Sequence, residues 1–112
     1  MYEHVRGRAK RVLVVGVSNG GPDISPHTAL APDGLLIVME DDAARAAELR
    51  RAYDRDGLSS RATVICGDPR RMLYKLAGPF DVIFCAREHL AVRPKLHQLL
   101  APDGLLITNG DI

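Results

Sequence analysis

Short runs of apolar residues recur along the chain, separated by longer stretches that mix alanine with charged residues. Five of these runs place Val, Ile and Leu at consecutive positions. That pattern is typical of strands buried on both faces of a parallel sheet. We therefore predict strands over residues 12–16, 35–39, 62–66, 80–85 and 105–108.

Helix signals fill the intervals between the predicted strands. Asp42 and Asp68 stand at positions suited to N-caps, and Gly57 stands where a helix would end. Pro32-Asp33-Gly34 has the composition of a turn. The signals predict helices over residues 22–31, 43–56, 69–77 and 94–101, a turn over 32–34, and a short turn of helix over 90–92.

Strand and helix signals alternate throughout, which predicts a single α/β domain over residues 1–112 with an N-terminal arm over residues 1–11. Right-handed crossovers then give an open, mainly parallel sheet with helices on both faces. Residues 30–37, Leu-Ala-Pro-Asp-Gly-Leu-Leu-Ile, recur at 100–107. The run recurs only once and has different flanking residues. We therefore interpret it as the same local arrangement at both places, in which a helix ends, a turn follows and a buried strand begins.

Composition excludes several classes of partner. The net charge of +1 predicts no bulk attraction to nucleic acid or to an anionic membrane. No apolar run approaches the roughly 20 residues of a membrane span, and the first residues lack the apolar core of a signal peptide. We interpret Cys66 and Cys85, which end two strand-like runs, as buried thiols in a reducing, cytoplasmic setting.

The stretch from Gly16 to Gly21 is the strongest candidate for a ligand site. It follows the first buried strand and precedes Pro22, which suits the first turn of a helix. Glycines allow the backbone to approach a ligand closely, because a Cβ would block the approach. A strand, glycine loop and helix in this order are typical of nucleotide-like ligand sites in open α/β sheets.

With all five strands assigned, the chain resembles the class I S-adenosylmethionine-dependent methyltransferases, and more narrowly the small-molecule O-methyltransferases of the catechol and caffeoyl-CoA type. Residues 12–21 stand where the family has its glycine motif, and Glu40 ends strand two at a family-like spacing. Residues 66–68, 78–84 and 99–107 match the signatures around strands three, four and five. The resemblance implies a Rossmann-like sheet in the order 3-2-1-4-5 and S-adenosyl-L-methionine as the cofactor.

The resemblance also implies roles for individual residues. Glu40 would accept hydrogen bonds from the ribose hydroxyls, with a solvated strand-end acid as the alternative. Asp68 would contact the adenine amino group, be an ordinary N-cap, or do both through different oxygens. The full set of expected cofactor-binding residues is Gly16, Val17, Ser18, Asn19, Gly20, Glu40, Asp41, Gly67, Asp68, Pro69 and Cys85.

Catalytic and metal positions depart from the family pattern. The family's metal-binding Asp after strand four and its Asp-Asn pair after strand five fall on Ala86, Asn109 and Gly110, so we expect no metal site. The glycine motif has Val14 where the family has an acid. The catalytic Lys falls near His89, which would serve as a general base or be an exposed loop histidine.

Three functions remain open on these observations. The first is metal-independent methyl transfer from S-adenosylmethionine to a small-molecule acceptor. The second is a cofactor-binding or assembly module that keeps the fold without the chemistry. The third is an NAD domain, which the loop spacing disfavours because it does not give GxGxxG. We also expect an open apolar edge at strand five and therefore a homodimer or higher homo-oligomer.

Overall fold

A computed structural model of the chain describes residues 7–16 and 29–108, with the backbone alone for residues 87 and 88. Five strands form one sheet in the order β3-β2-β1-β4-β5, and every neighbouring pair is parallel. The predicted fold class and strand order are therefore confirmed. The strands are β1 Ala9–Val15, β2 Leu30–Glu40, β3 Ala62–Cys66, β4 Phe80–Cys85 and β5 Leu100–Thr108.

Helices connect the strands on both faces of the sheet. The segments are α1 Ala43–Arg55, α2 Pro69–Met72 with a 3₁₀ turn at Leu73–Lys75, and a 3₁₀ helix Arg87–Val92 that leads into α3 Arg93–Leu99. Asp42 caps α1 by accepting a hydrogen bond from the Ala44 amide at 2.9 Å, as the sequence predicts. None of the helices in the described segments is long and apolar enough to cross a membrane.

The core has two halves, one on each face of the sheet. Alternate residues of β1 point to opposite faces, so Val12 and Val14 pack with α1 while Leu13 and Val15 pack on the other side. Ala46 and Tyr53 are the buried residues of α1. The opposite half contains buried side chains from the 3₁₀ turn and α3, namely Leu73, Leu96 and Leu99. Burial on both faces explains why the strands are apolar at consecutive positions.

The recurring eight-residue run forms the same bulged strand twice. Ala9 pairs with Leu30 and Arg11 with Leu35, so that one residue of β1 lies opposite four residues of β2. The pairing of β4 with β5 shifts in the same way between the Leu100 and Leu105 positions. The predicted turn over 32–34 is therefore a bulge inside β2. The predicted helix ends at 30–31 and 100–101 are wrong, because these residues belong to β2 and β5.

Side chains from neighbouring elements hold the first bulge in place. The Arg61 guanidinium donates to the carbonyls of Ala31 and Pro32 at 3.0 and 2.9 Å. The Lys10 ammonium forms a 2.6 Å ion pair with Asp33, at the solvent-exposed surface. The Arg61 contacts satisfy two backbone carbonyls in the bulge, where regular strand pairing is interrupted.

Other boundaries also differ from the sequence predictions. β1 begins at Ala9, so residues 9–11 belong to the sheet and not to an arm. The helix predicted over 69–77 has one α-helical turn followed by a 3₁₀ turn. Cys66 is exposed, which corrects the prediction of two buried thiols, whereas Cys85 is buried. Residues 22–28 of the first predicted helix lie outside the described residues.

Candidate cofactor site

The carboxyl ends of four adjacent strands meet at one edge of the sheet. The Gly16 amide donates to the Met39 carbonyl at 2.8 Å, which joins the end of β1 to that of β2. The Gly67 amide donates to the Glu40 carbonyl at 3.1 Å, and the Ala86 amide donates to the Val15 carbonyl at 2.9 Å. These backbone hydrogen bonds hold the strand ends together. The expected site residues lie at these ends and in the loops that follow them, which is where such sheets bind ligands.

Glu40 is the most unusual polar side chain at this edge. It is 1% exposed. One carboxylate oxygen, Oε2, accepts a hydrogen bond from the Asp42 amide at 2.9 Å. The other oxygen, Oε1, is buried and has no hydrogen-bond partner within the described part of the chain. Burial of an unsatisfied carboxylate oxygen is costly, so Glu40 is suited to accept hydrogen bonds from a ligand.

Gly16 provides a backbone surface without a side chain. Its φ of +78° lies in the left-handed region that glycine adopts most easily. A Cβ at this position would overlap the His89 ring, with Nε2 at 2.9 Å, and would lie 3.2 Å from the Ala86 Cβ. The His89 amide in turn donates to the Ala86 carbonyl at 2.9 Å. The structure thus brings His89 against the start of the glycine loop.

Asp68 is the N-cap of α2, as predicted. Its Oδ1 accepts from the Arg70 amide at 3.0 Å, and its Oδ2 forms an ion pair with the Arg70 guanidinium at 3.2 Å. Hydrogen bonds from the Arg70 side chain and backbone lower the pKa of the Asp68 carboxyl. Pro69 follows as a buried first residue of α2. Because Arg70 occupies both oxygens, a contact of Asp68 with adenine stays a prediction.

The remaining expected cofactor residues differ in accessibility. Asp41 is exposed beside Glu40, and Gly67 is half-buried. The Cys85 side chain is 2% exposed and donates to the Ala86 carbonyl at 3.4 Å. A contact between Cys85 and a cofactor therefore stays a prediction. Val17, Ser18, Asn19 and Gly20 lie outside the described residues.

A metal site needs several donor side chains close together. Ala86, at the position of the family's metal-binding Asp, is 3% exposed and carries only a methyl group. Within residues 7–16 and 29–108, no three His, Cys, Asp or Glu side chains are placed to hold a metal ion. Asn109 and Gly110 are not among the described residues. The expectation of no divalent metal site therefore stays a prediction.

Two relationships at this edge escaped the sequence analysis. The contact between Gly16 and His89 joins residues far apart in the chain, and no local pattern predicts it. Arg70 binds both oxygens of Asp68, a pairing that the sequence analysis did not predict. The available signal was an N-cap acid followed two residues later by arginine. The side chain of an N-cap folds back towards the amides of the first turn and so comes close to this position.

Comparison with known proteins gives consistent relatives. The chain is 37% identical over 81 residues, 69% of its length, to a catechol O-methyltransferase of Niastella koreensis, of which it spans 37%. It is 32% identical over 78 residues to a catechol O-methyltransferase of Mycobacterium tuberculosis, aligning 69% of this chain with 36% of that protein. The chain thus spans little more than a third of these relatives. No protein-family model matches it.

The solved structures show the same architecture. The chain superposes on the O-methyltransferase TomG of Streptomyces achromogenes, solved in complex with SAM, with a TM-score of 0.80. That superposition covers 96% of this chain and 52% of TomG at 22% identity. The shared fold agrees with the sequence relationship to the two catechol enzymes. By sequence and fold, the chain belongs to the class I methyltransferase family, in its catechol and caffeoyl-CoA O-methyltransferase branch.

Proposed function

We propose that the chain carries the cofactor-binding core of an S-adenosylmethionine-dependent O-methyltransferase that acts on a small molecule. The buried Glu40 carboxylate is the observation that carries the proposal, because its Oε1 has no partner in the described residues. The Glu40 backbone is hydrogen-bonded to Gly67, and Gly16 is hydrogen-bonded to the preceding residue, Met39. This is the carboxyl edge of the sheet, where open parallel sheets bind nucleotide-like ligands. The TomG structure, which contains SAM, supports the same assignment.

The described residues fit this cofactor. Glu40 Oε1 would accept hydrogen bonds from the two ribose hydroxyls, and a charged acceptor makes such bonds worth about 1.5–3 kcal/mol each. Gly16 and the loop residues 17–20 would lie under the amino acid part of the cofactor. Gly67 and Asp68 would border the adenine, with Asp68 sharing its oxygens between Arg70 and the adenine amino group.

The chemistry requires little from the protein beyond positioning. When bound, S-adenosylmethionine supplies a methyl group that is activated by its positively charged sulfur. The chain's task is to hold an acceptor hydroxyl in line with the methyl–sulfur bond and to exclude water, and positioning of this kind supplies much of the acceleration in two-substrate reactions. In our proposal a ring nitrogen of His89, held over Gly16, takes the proton from the acceptor hydroxyl.

We propose that this transfer proceeds without a divalent metal ion bound by the chain. The methyl side chain of Ala86 supports this, because it offers no donor where the family's metal-dependent members have a carboxylate. A methyl-transfer assay with and without a chelator tests this part. Equal rates support metal independence, and a rate restored only by added Mg²⁺ contradicts it.

Cofactor binding is tested by thermal unfolding with S-adenosylmethionine, S-adenosylhomocysteine, NAD and ATP in parallel. A ligand at 100 times its Kd adds about 2.7 kcal/mol, which corresponds to roughly 10 °C for a domain of this size. We expect a shift with the two S-adenosyl ligands alone. Glu40→Gln should remove most of the shift, whereas Glu48→Gln, on the exposed surface of α1, should retain it.

The alternative is a cofactor-binding or assembly module without methyl transfer. Ala86 favours this alternative, because the family's metal-dependent members have a metal-binding carboxylate at that position. A thermal shift with the S-adenosyl ligands combined with no turnover of any hydroxylated acceptor would support this alternative. No shift with any ligand would contradict cofactor binding itself and leave only an assembly role.

We also propose that the chain forms a homodimer or higher homo-oligomer through β5. This strand lies at the edge of the sheet beside β4, and its Leu105 and Leu106 are only half-buried. Apolar strands at a sheet edge favour pairing with another copy. Light scattering at tens of micromolar protein tests the proposal, and a monodisperse monomer would contradict it.

A further inference from the structure

A groove lies in the helical layer, and Gly16, Glu40 and Gly67 are not among its lining residues. It has a volume of about 350 Å³ and runs between the segment that follows β3 and the segment that follows β4. Leu73 and Val92, which are 1% and 8% exposed, contribute to its apolar surface together with Ala91 and Pro94. Small-molecule sites occupy roughly 300–1,000 Å³ and are mostly apolar, so the size and lining match this class.

Cations border the apolar surface. Arg70 and Lys95 line the groove together with Tyr74. The Lys95 ammonium lies 5.1 Å from the centre of the Tyr74 ring, and this cation–π contact keeps the ammonium beside the groove. Tyr74 is 74% exposed, although aromatic side chains are usually more buried in monomeric domains.

The charge around the groove is one-sided. Residues 69–75 and 91–98 carry three and two Lys or Arg residues respectively, and neither segment contains an Asp or Glu. The whole chain, by contrast, has nearly equal numbers of basic and acidic residues, 15 and 14. Asp68, which directly precedes the first of these segments, is already paired with Arg70. A ligand that complements this surface therefore has to be negatively charged.

We propose that this groove binds a small amphiphilic anion, with its apolar body on the Leu73 and Val92 surface and its acidic group between Arg70 and Lys95. The acidic group is a carboxylate or a phosphate, because both accept hydrogen bonds from ammonium and guanidinium groups. The volume favours a small molecule over a protein segment. The groove adjoins the proposed cofactor site, because its Arg70 also contacts Asp68.

The experiment is an NMR titration of the full chain, without S-adenosylmethionine, using four probes. Benzoate and phenyl phosphate have both a ring and an acidic group and distinguish a carboxylate from a phosphate ligand. Inorganic phosphate has the charge alone, and benzyl alcohol has the ring alone. We expect saturable binding of benzoate or phenyl phosphate, with shifts at the groove residues and at least about fivefold weaker binding of the two single-feature probes.

Variants separate the groove from general surface charge. Lys95→Ala should weaken binding of the preferred probe about three- to fivefold, as expected for an exposed ion pair. Ala91→Trp should weaken it more strongly, because the exposed Ala91 lines the groove and a large side chain there would fill it. Lys75→Ala is the control, since Lys75 is an exposed cation in the 3₁₀ turn that contains Tyr74 but does not line the groove. Arg70 is left intact because it contacts Asp68.

Several outcomes would overturn the proposal. One is the absence of saturable binding for all four probes. Another is an equal loss with Lys75→Ala and Lys95→Ala, which would indicate nonspecific charge attraction. A third is binding of an oligoglutamate peptide or an anionic lipid vesicle without binding of any small probe, which would assign the surface to a macromolecule.

Discussion

The imidazole of His89 packs against the backbone of Gly16, covering the face where any other residue would carry its Cβ. Gly16→Ala would therefore combine two costs. One is the strain of a side chain at φ +78°, about 1–2 kcal/mol, and the other is displacement of the His89 ring. We expect a loss of roughly 2–3 kcal/mol in the free energy of unfolding, measured by urea denaturation.

Gly57→Ala is the matched control for this prediction. Gly57 has a similar φ of +73°, and a Cβ there would meet no atom within 4 Å. Gly57→Ala should show only the backbone strain, with a loss of about 1 kcal/mol in the free energy of unfolding. In Gly16→Ala, a second change of His89→Ala should recover the difference. Equal losses for the two glycine variants would show that the His89 contact costs nothing to displace.

The two bulges should respond differently to an added methyl group. A Cβ on Gly34 would lie 2.7 Å from the Ala9 carbonyl oxygen, which is part of the sheet backbone. A Cβ on Gly104 would first meet the Leu100 side chain at 2.7 Å, and a side chain can rotate away. We expect Gly34→Ala to lose about 3 kcal/mol and Gly104→Ala about 1 kcal/mol in urea denaturation. The reverse order would show that the β2 backbone is free to shift.

Tyr53 should make stability fall at high pH. Burial, and to a lesser extent the Asp56 charge, raise the pKa of Tyr53 from 10.0 to about 12. The folded chain therefore keeps the phenol proton that the unfolded chain loses first. The contribution is fully present below pH 10 and is lost as the pH rises towards about 12. It amounts to roughly 2–3 kcal/mol, since one pKa unit is worth about 1.4 kcal/mol.

Comparison with Tyr53→Phe isolates this contribution from other groups that titrate in alkali. We expect the difference in unfolding free energy between the two proteins to shrink between pH 10 and about 12. The difference in phenolate absorbance between the two proteins gives an independent midpoint for Tyr53, since the chain has two further tyrosines. A difference that stays constant over this range would contradict the prediction.

Asp68 should stabilise α2 mainly as a cap. Asp68→Ala removes the acceptor for the Arg70 amide and should lower the urea midpoint of unfolding, whereas Asp68→Asn keeps an acceptor and should lower that midpoint less. Arg70 lowers the pKa of the Asp68 carboxyl. Its contribution is therefore present above the ordinary carboxyl range and is lost as the pH falls through the lowered pKa. Acid denaturation of the three proteins tests this, and an equal cost for Ala and Asn would assign the effect to charge.

Local sequence patterns predicted the elements that depend on neighbouring residues. Asp42 and Asp68 were identified as N-caps because a cap binds amides only two residues away. The bulges were missed for the opposite reason. Ala-Pro-Asp-Gly has the composition of a turn, but pairing of Leu30 with Ala9 makes it part of a strand. That pairing is a tertiary effect, so the residues of the bulge alone cannot indicate it.

The candidate site was predicted in the same uneven way. Glu40 was identified from its position at a strand end, and its burial agrees with the predicted role. The sequence could not indicate that one of its oxygens would be bound to the Asp42 amide and the other left without a partner. The position of His89 over Gly16 depends on the packing of the segment after β4 against β1, which is likewise a tertiary relationship.

The different burial of the two cysteines makes the molecule suitable for selective chemical labelling. A thiol reagent would react at the exposed Cys66 and be excluded from Cys85, which is 2% exposed. Cys66 directly precedes Gly67, whose amide is bonded to Glu40. A fluorophore attached there, without any mutation, would report occupancy of the neighbouring strand ends through a change in its emission.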